Sequence, residues 1–309
     1  MAQTKAIVDK LLTDASVGHF PEGYIADAVL PFKQVVQSSG KVGIYGKDHL
    51  RIERSYTGGR GQYRRVEGVS RTSTTYMVES HGLEGMVSED DYRNVELPFD
   101  AEKDETLGLT TMIMLEKEKV LADALTSTSI ITQNVTLAGT DQYNDYSGSD
   151  PIGDFLAARN AVYDGCGLPP NKAVMDWKTF NTLAYHPGIL DALGYTQNRA
   201  GQLNEAEMAK AMGVDKLLIG KVQYNSAAEG QTAVLAPVWG KSIVFYHAPD
   251  KLGKYQQSLG LRVGFSDSRR VFKFDSVNPP NGSLILVDDH YDWVITEVGA
   301  AYLIKDSIA

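Results

Sequence analysis

Cysteine is almost missing from this 309-residue chain. Cys166 stands alone, so no internal disulfide framework can hold the fold, and a reducing compartment suits it. In GCGLPP, just after a helical stretch, Cys166 reads as a packed thiol, with a catalytic thiol as the rival. Long apolar runs are missing too. No window approaches 18 apolar residues, the length that would signal a membrane span. The N-terminal MAQTKAIVDKLLTDAS carries charges at positions 5, 9, 10 and 14, so it lacks the apolar core of a signal peptide. Without export, the glycosylation patterns at Asn134-Val-Thr and Asn281-Gly-Ser have no consequence. Basic residues are in deficit, 30 against 39 acidic, for a formal charge of −9. That balance excludes nucleic-acid binding by bulk charge and leaves only a local basic patch.

Catalytic signatures are scarce as well. There is no GxSxG elbow, and His19, His49, His81, His186 and His247 show neither HxxxH nor HExxH spacing. Gly240-Lys241-Ser242 has the end of a phosphate-binding loop without its beginning. The position that needs glycine is Leu235, and IVFYH follows where a helix should start. Backbone N–H groups there are committed to strand pairing rather than to an anion. Gly58-Gly-Arg-Gly61 lacks a strand-to-helix setting and reads as a hairpin tip, although its arginine could touch phosphate. Asp288-Asp289-His290-Tyr291-Asp292 gathers three carboxylates and an imidazole, ligands that hard cations accept. Between two apolar runs, though, it has the look of a polar hairpin turn, which is preferred to a metal site. No catalytic residue, cofactor or metal ligand is assigned.

The remaining composition is that of a globular chain, 43% hydrophobic and 22% charged, long enough for two lobes and a sizeable core. Residues 4–16 predict a short helix, and 20–50 an arm with little periodicity. Residues 51–78 alternate loosely around TGGRG, which predicts a long β-hairpin. Few of its side chains are large and apolar, and an isolated hairpin is marginal in water, so it must rest on something else. Arg51, Arg54, Arg60, Arg64, Arg65 and Arg71 oppose only Glu53 and Glu67, a net of +4. From Glu79 to Glu105 the sign reverses. Ten acids, among them Glu89, Asp90, Asp91, Glu102, Asp104 and Glu105, oppose Arg93 and Lys103, a net of −8. Opposite charge in adjacent stretches fits mutual docking, within a chain or between chains, or else two solvated faces.

Residues 104–127 predict the longest helix, its start rich in acids as the helix dipole favours. Leu107, Met114, Leu121 and Leu125 form one apolar face, and Ile113, Val120 and Ala124 a second. Glu105, Glu116, Lys119 and Asp123 form a charged strip between them. Such a helix is expected between two layers. Residues 134–150 read as loop and lobe boundary. An α/β segment follows: a helix from Asp150 to about Asp164, a strand in NKAVMDW, a helix broken near His186-Pro187, and a helix in LNEAEMAKAMG stopped by Gly213. DKLLIGKVQYN reads as one strand and TAVLAPVWGKSIVFYH as one or two. The chain is β-rich after residue 253. No internal repeat is present.

The order of these parts resembles the major capsid proteins of tailed bacteriophages, the Hong Kong 97-type fold shared with encapsulin nanocompartments. The resemblance is carried by Asn171–Pro249, with Trp177, Leu183, His186-Pro187, LNEAEMAKAMGVDKLLIGKVQYNSA and VWGKSIVFYHAP. VESHGLEGMVSEDDYRN and PFDAEKDE are similar to that family's link into its spine helix. It implies an α+β phage capsid fold: an N-terminal arm (1–50), an extended hairpin loop (51–78), a peripheral domain with spine helix (79–133), an α/β axial domain (134–250), and a return to the peripheral β-sheet with the C-terminal segment (251–309). It implies a non-enzymatic coat protein that self-assembles, as hexamers and pentamers, into an icosahedral shell around double-stranded DNA in the virion, built in the host cytoplasm. The expected partners are further copies of the chain, a separate scaffolding protein, a portal and decoration proteins, with DNA touched weakly and no membrane. The ribbon arginines would rest on the acids of a neighbouring copy. Two departures stand out. Residues 51–78 contain no lysine, which removes the loop lysine some relatives use for crosslinking. The arm starts almost at Met1, without the long cleaved segment of other relatives. The rival readings are an encapsulin-like compartment, a metal-dependent α/β enzyme using Asp288–Asp292, and a tail or other virion component.

Overall fold

Polar caps and glycine stops set the helix ends. The computed structural model describes residues 7–53, 55–56, 61, 63, 65–66, 68, 70–94, 100–194, 203–251, 257–276 and 281–309. The chain opens with strand β1 (Ile7–Val8) and helix α1 (Lys10–Val17), then α2 (Ala26–Val29), β2 (Phe32–Gln34) and β3 (Ser39–Tyr45). Next come β4 (Arg71–Met77), β5 (Glu79–Ser88), α3 (Glu89–Asn94) and α4 (Ala101–Leu125). The middle holds β6 (Asn134–Thr136), α5 (Pro151–Cys166), β7 (Lys172–Asp176), α6 (Trp177–Ala184), α7 (Pro187–Ala192) and α8 (Glu205–Met212). Strands β8 (Lys216–Gly220), β9 (Gln223–Asn225), β10 (Leu235–Pro237), β11 (Ile243–Tyr246), β12 (Gly260–Ser276), β13 (Gly282–Ile295) and β14 (Ala301–Lys305) complete it.

Asp9 starts α1 by accepting from the N–H groups of Leu11 and Leu12, so the helix begins later than the expected residue 4. Asp100 does the same for α4 through Glu102 and Lys103. Asn204 and Glu207 form a capping box on α8, and Gly213 ends it at φ 67°.

Two larger sheets form. In one, β12 and β13 are a long antiparallel hairpin, with β5 beyond β13 and both β1 and β2 along β12. The other runs β6-β14-β11-β7-β8, so the C-terminal strand returns to the α/β half. Its strands β7 and β11 are wholly buried, β11 as an apolar run and β7 with an apolar centre, Ala173–Met175, between Lys172 and Asp176. A main core joins this sheet to α2, α5–α8 and the C-terminal half of α4. A second cluster lies where Leu12, Leu109 and Ile113 meet Val271, Ile285 and Val287.

Several expectations change. The two-stranded ribbon pairs β3 with β4, Tyr45 opposite Arg71, so its first strand lies before residue 51. The described residues between 51 and 70 lie in neither helix nor strand. The presumed loop at 134–150 contains β6, which pairs in parallel with β14. DKLLIGKVQYN is two strands, β8 and β9. Helix α4 buries one broad face, not two. Thr106, Thr110, Ile113, Lys117, Leu121 and Leu125 recur three or four residues apart and are buried, whereas Met112 and Val120 are exposed. Of the expected charged strip, Glu116 and Asp123 are exposed and Glu105 and Lys119 half-buried.

Candidate assembly surface and the brace beneath it

Two adjacent residues on the buried stripe of α4, Lys117 and Glu118, carry charge into the interior, with 5% and 0% of their surface exposed. Each clips the arm. Lys117 Nζ lies 2.8 Å from Asp27 and 3.7 Å from Asp289 of β13, and sits 4.9 Å from the ring centre of Tyr291. Glu118 accepts from the N–H groups of Ile25 (3.1 Å) and Ala26 (2.7 Å) and from Trp239 Nε1 (2.6 Å). The first turn of α2 thereby finds acceptors for otherwise orphaned donors. Arg262 pairs with Asp27, and Arg269 lies 3.3 Å from Asp289. Arm, spine helix and β-hairpin are tied by one ionic brace. A small cavity of about 50 Å³, lined by Phe20, Tyr24 and Met114, opens beside it.

The brace sets its own protonation. Burial raises the Glu118 carboxyl above its usual range, although the hydrogen bonds from Trp239, Ala26 and Ile25 pull the other way. Burial would also raise Asp27, but Lys117 and Arg262 outweigh it and hold that carboxyl below its usual range.

The Asp288–Asp292 run, expected as a hairpin turn or a metal site, lies in the middle of β13. A bulge in β12 between Gly264 and Arg269 sits opposite it and turns arginines toward the acids. Asp288 meets Arg270 (3.6 Å), His290 (3.4 Å) and the Ser80 hydroxyl, and Asp292 accepts from the Met77 N–H (2.9 Å). These carboxylates are spoken for by cations and donors. Among the described residues no group of three His, Cys, Asp or Glu side chains could hold a metal ion.

One pair that sequence spacing missed is Ser149 and His186, with Oγ 3.0 Å from Nε2. His186 Nδ1 accepts from the Gly188 N–H as the N-cap of α7, so Nε2 carries the proton and donates to Ser149. Ser149 in turn donates to the Asp145 carbonyl (2.6 Å). The imidazole faces the hydroxyl with its N–H and cannot take its proton. The pair is a structural clamp. Cys166 is buried, and burial pushes its thiol up. Gly240 turns at φ 62° between β10 and β11, so Gly240-Lys241-Ser242 is a strand connection.

The surface carries the remaining sequence-predicted residues. Arg51 and Arg65 are exposed on the loop, while Arg54, Arg60 and Arg64 lie outside the described residues. Arg71 is exposed and donates to the Tyr45 hydroxyl (2.8 Å) across the ribbon base. Loop residues Ile52, Tyr56 and Tyr63 are 98%, 78% and 90% exposed, so they add nothing to this chain's own core. Glu89, Asp90 and Asp91 are exposed on α3, Glu89 pairing with Arg93 and Asp91 accepting from Ser88. Asp104 is exposed and Glu105 half-buried near Gly85. Glu102 is engaged at home, by Lys273 and by the Tyr92 hydroxyl. Among the described residues, no ion pair joins Arg51, Arg65 or Arg71 to these acids.

An arm clipped to a long helix, a projecting ribbon, a long β-hairpin sheet and a mixed α/β half define the class. The chain has the α+β fold of tailed-phage capsid proteins. A phage-related protein from Bordetella bronchiseptica RB50 superposes with a TM-score of 0.75, at 21% identity and covering 98% of both chains. The capsid of cyanophage P-SCSP1u superposes at 0.63 with 9% identity, over 93% of this chain and 89% of that one. In sequence, the major capsid protein of Pseudomonas phage JBD67 is 27% identical over 317 residues, 98% of this chain and 97% of its own length. That of Burkholderia phage BcepMu is 24% identical over 255 residues, 82% and 80% of the two chains. No protein-family model matches the chain.

Proposed function

We propose that the chain is a major capsid protein, copies of which close into the icosahedral shell of a phage head around double-stranded DNA. The observation that carries this is the loop beyond β3 and β4. Its described apolar side chains Ile52, Tyr56 and Tyr63 face solvent, and so do its described arginines Arg51 and Arg65. A segment of this kind gains its contacts from a neighbour. Each exposed ion pair contributes only about 0–1 kcal/mol, and apolar burial roughly 25 cal/mol per Å². Many such contacts per subunit hold a shell while letting misplaced subunits leave. Closed symmetry then satisfies every copy. Both curated relatives are phage coat proteins, which favours DNA over the protein cargo of an encapsulin-like compartment. The relatives' coat role supports a structural component rather than an enzyme.

Hexamers and pentamers are the building units, assembled in the host cytoplasm with a separate scaffolding protein and a portal, and open to decoration proteins. A net-negative wall repels DNA weakly and only within about 10 Å at 0.1 M salt, which lets the genome slide during packing. Negative-stain microscopy of the purified chain is expected to show closed particles. Arg64→Glu with Arg65→Glu is expected to abolish them while circular dichroism shows unchanged helix content. Helix loss would place the ribbon in the subunit's own core. A stable monomer at high concentration, for the unmodified chain with its scaffold supplied, would reject the shell.

A further inference from the structure

Strand β5 ends the hairpin sheet, and among the described residues nothing pairs with its outer side. Its phase on β13 can be read from the bond of the Glu89 N–H to the Asn281 carbonyl, which continues the β5–β13 register. Successive opposite pairs alternate between bonded and unbonded, so pairs two residues apart are alike. His81, Leu83, Gly85 and Val87 therefore bond β13. Ser80, Gly82, Glu84 and Met86 point their N–H and C=O groups outward. The outward N–H of Ser88 is already capped by Asp91 (2.9 Å).

This edge lacks the usual guards. Natural edges are blunted by lysine, proline, bulges or short length. Strand β5 is 10 residues long, holds no Lys, Arg or Pro, and keeps one register throughout. By contrast, β3 carries Lys41 and β8 begins at Lys216. Residues 82–84 are exposed.

We infer that the outer edge of β5 receives the 51–70 loop of a second copy as an added strand. The inference rests on the shell reading and specifies its contact. Charge selects the occupant. Glu79 and Glu84 lie on the strand and Glu89, Asp90 and Asp91 just beyond it, while residues 51–70 hold five arginines against two glutamates. Backbone bonds fix the added segment and the acids hold its arginines. An arm of another copy or a scaffold tail is the competing occupant.

The test is residue-resolved hydrogen exchange on the free subunit and on assembled particles. The amides of Gly82, Glu84 and Met86 are expected to exchange fast in the subunit and to slow at least ~100-fold in particles, while those of Leu83, Gly85 and Val87 are slow in both. Glu84→Pro removes one outward N–H and no bond to β13, and such positions tolerate proline. It is expected to lower particle yield at least about tenfold with the subunit's melting temperature unchanged. In particles, Glu84→Cys with Tyr63→Cys is expected to give disulfide-linked dimers between copies. Outward amides that stay fast in particles overturn the added strand and leave the shell intact. Protection without that disulfide, where a cysteine in another segment links instead, overturns the occupant. Absence of particles from the unmodified chain with its scaffold supplied overturns both readings.

Discussion

The chain uses charge in two opposite ways. In the brace, the buried Lys117, Glu118 and Asp289, the half-buried Arg262 and Arg269 and the exposed Asp27 at its outer end come from the arm, the spine helix and the β-hairpin, and each is met by a partner of its own chain. On the loop, Arg51 and Arg65 stand in solvent, and so do Asp90 on α3 and Asp104 on α4. Desolvating a charge costs several kcal/mol unless it is paired, so buried charges must find partners before assembly. Exposed charges are screened and contribute little alone, so they can wait for a neighbour. The interior set therefore fixes the shape of the subunit, and the surface set is free for the contacts between subunits proposed above.

Breaking the interior set should produce the largest effect on the subunit. Lys117→Met leaves Asp27 with Arg262 and Asp289 with Arg269, each acid losing one of two cations. Removing one member of a buried pair costs about 3–5 kcal/mol. The surviving arginines place this change near the lower end, about 3 kcal/mol, read as a shift of the urea midpoint at constant m-value. A loss below about 1 kcal/mol would mean that the brace is wet and behaves like the surface.

A smaller effect separates the two acids of the brace by pH. Asp27 is held below its ordinary 3.8, so its stabilisation is present above 3.8 and disappears as pH falls through its depressed folded value. Glu118 is raised above its ordinary 4.5, so its stabilisation is complete below 4.5 and declines as pH rises through its folded value. The arm is thus expected to be held best in mild acid. Glu118→Gln should flatten the decline between mild acid and neutrality, and Asp27→Asn should flatten the acid limb, in urea midpoints measured across pH. Identical profiles for the two variants would show that neither carboxylate titrates with folding.

Much of the α/β half is legible in the sequence because its signals are local. Asp150-Pro151, the capping box at Asn204 and Glu207, and the left-handed Gly213 bound their helices within four residues. The ribbon was displaced because β3 lies 26 or more residues from its partner positions, Tyr45 pairing with Arg71, and no turn marks such a distant pairing. Asp288–Asp292 has the composition of a turn, and partners from distant segments, Arg269 and Arg270 beside the β12 bulge with Lys117, Ser80 and the Met77 N–H, hold it inside a strand. Lys117 and Glu118 were missed although a signal existed. They sit on one stripe with Thr110, Met114 and Leu121, and a charge in that stripe is either an error or a buried pair. The proposed loop contacts rest on a charge reversal in the sequence, and one chain alone does not contain their geometry.

The smallest effect sharpens the comparison from the surface side. Arg71 closes the β3–β4 ladder, bonded to the Tyr45 hydroxyl and stacked 5.0 Å from its ring centre, yet it is exposed. A cation on an exposed ring contributes about 0.5–1 kcal/mol. Arg71→Ala is therefore expected to leave the subunit's melting temperature within about 3 °C of the parent. It should speed exchange of the Gly46 amide, which bonds the Ser70 carbonyl just beyond the pair. Fraying at that point loosens the loop where it leaves the ribbon, so assembly should slow more than stability falls. A loss of about 3 kcal/mol, matching Lys117→Met, would mean that the ribbon shares the subunit's cooperative core, and the division between a closed interior set and an open surface set would not hold.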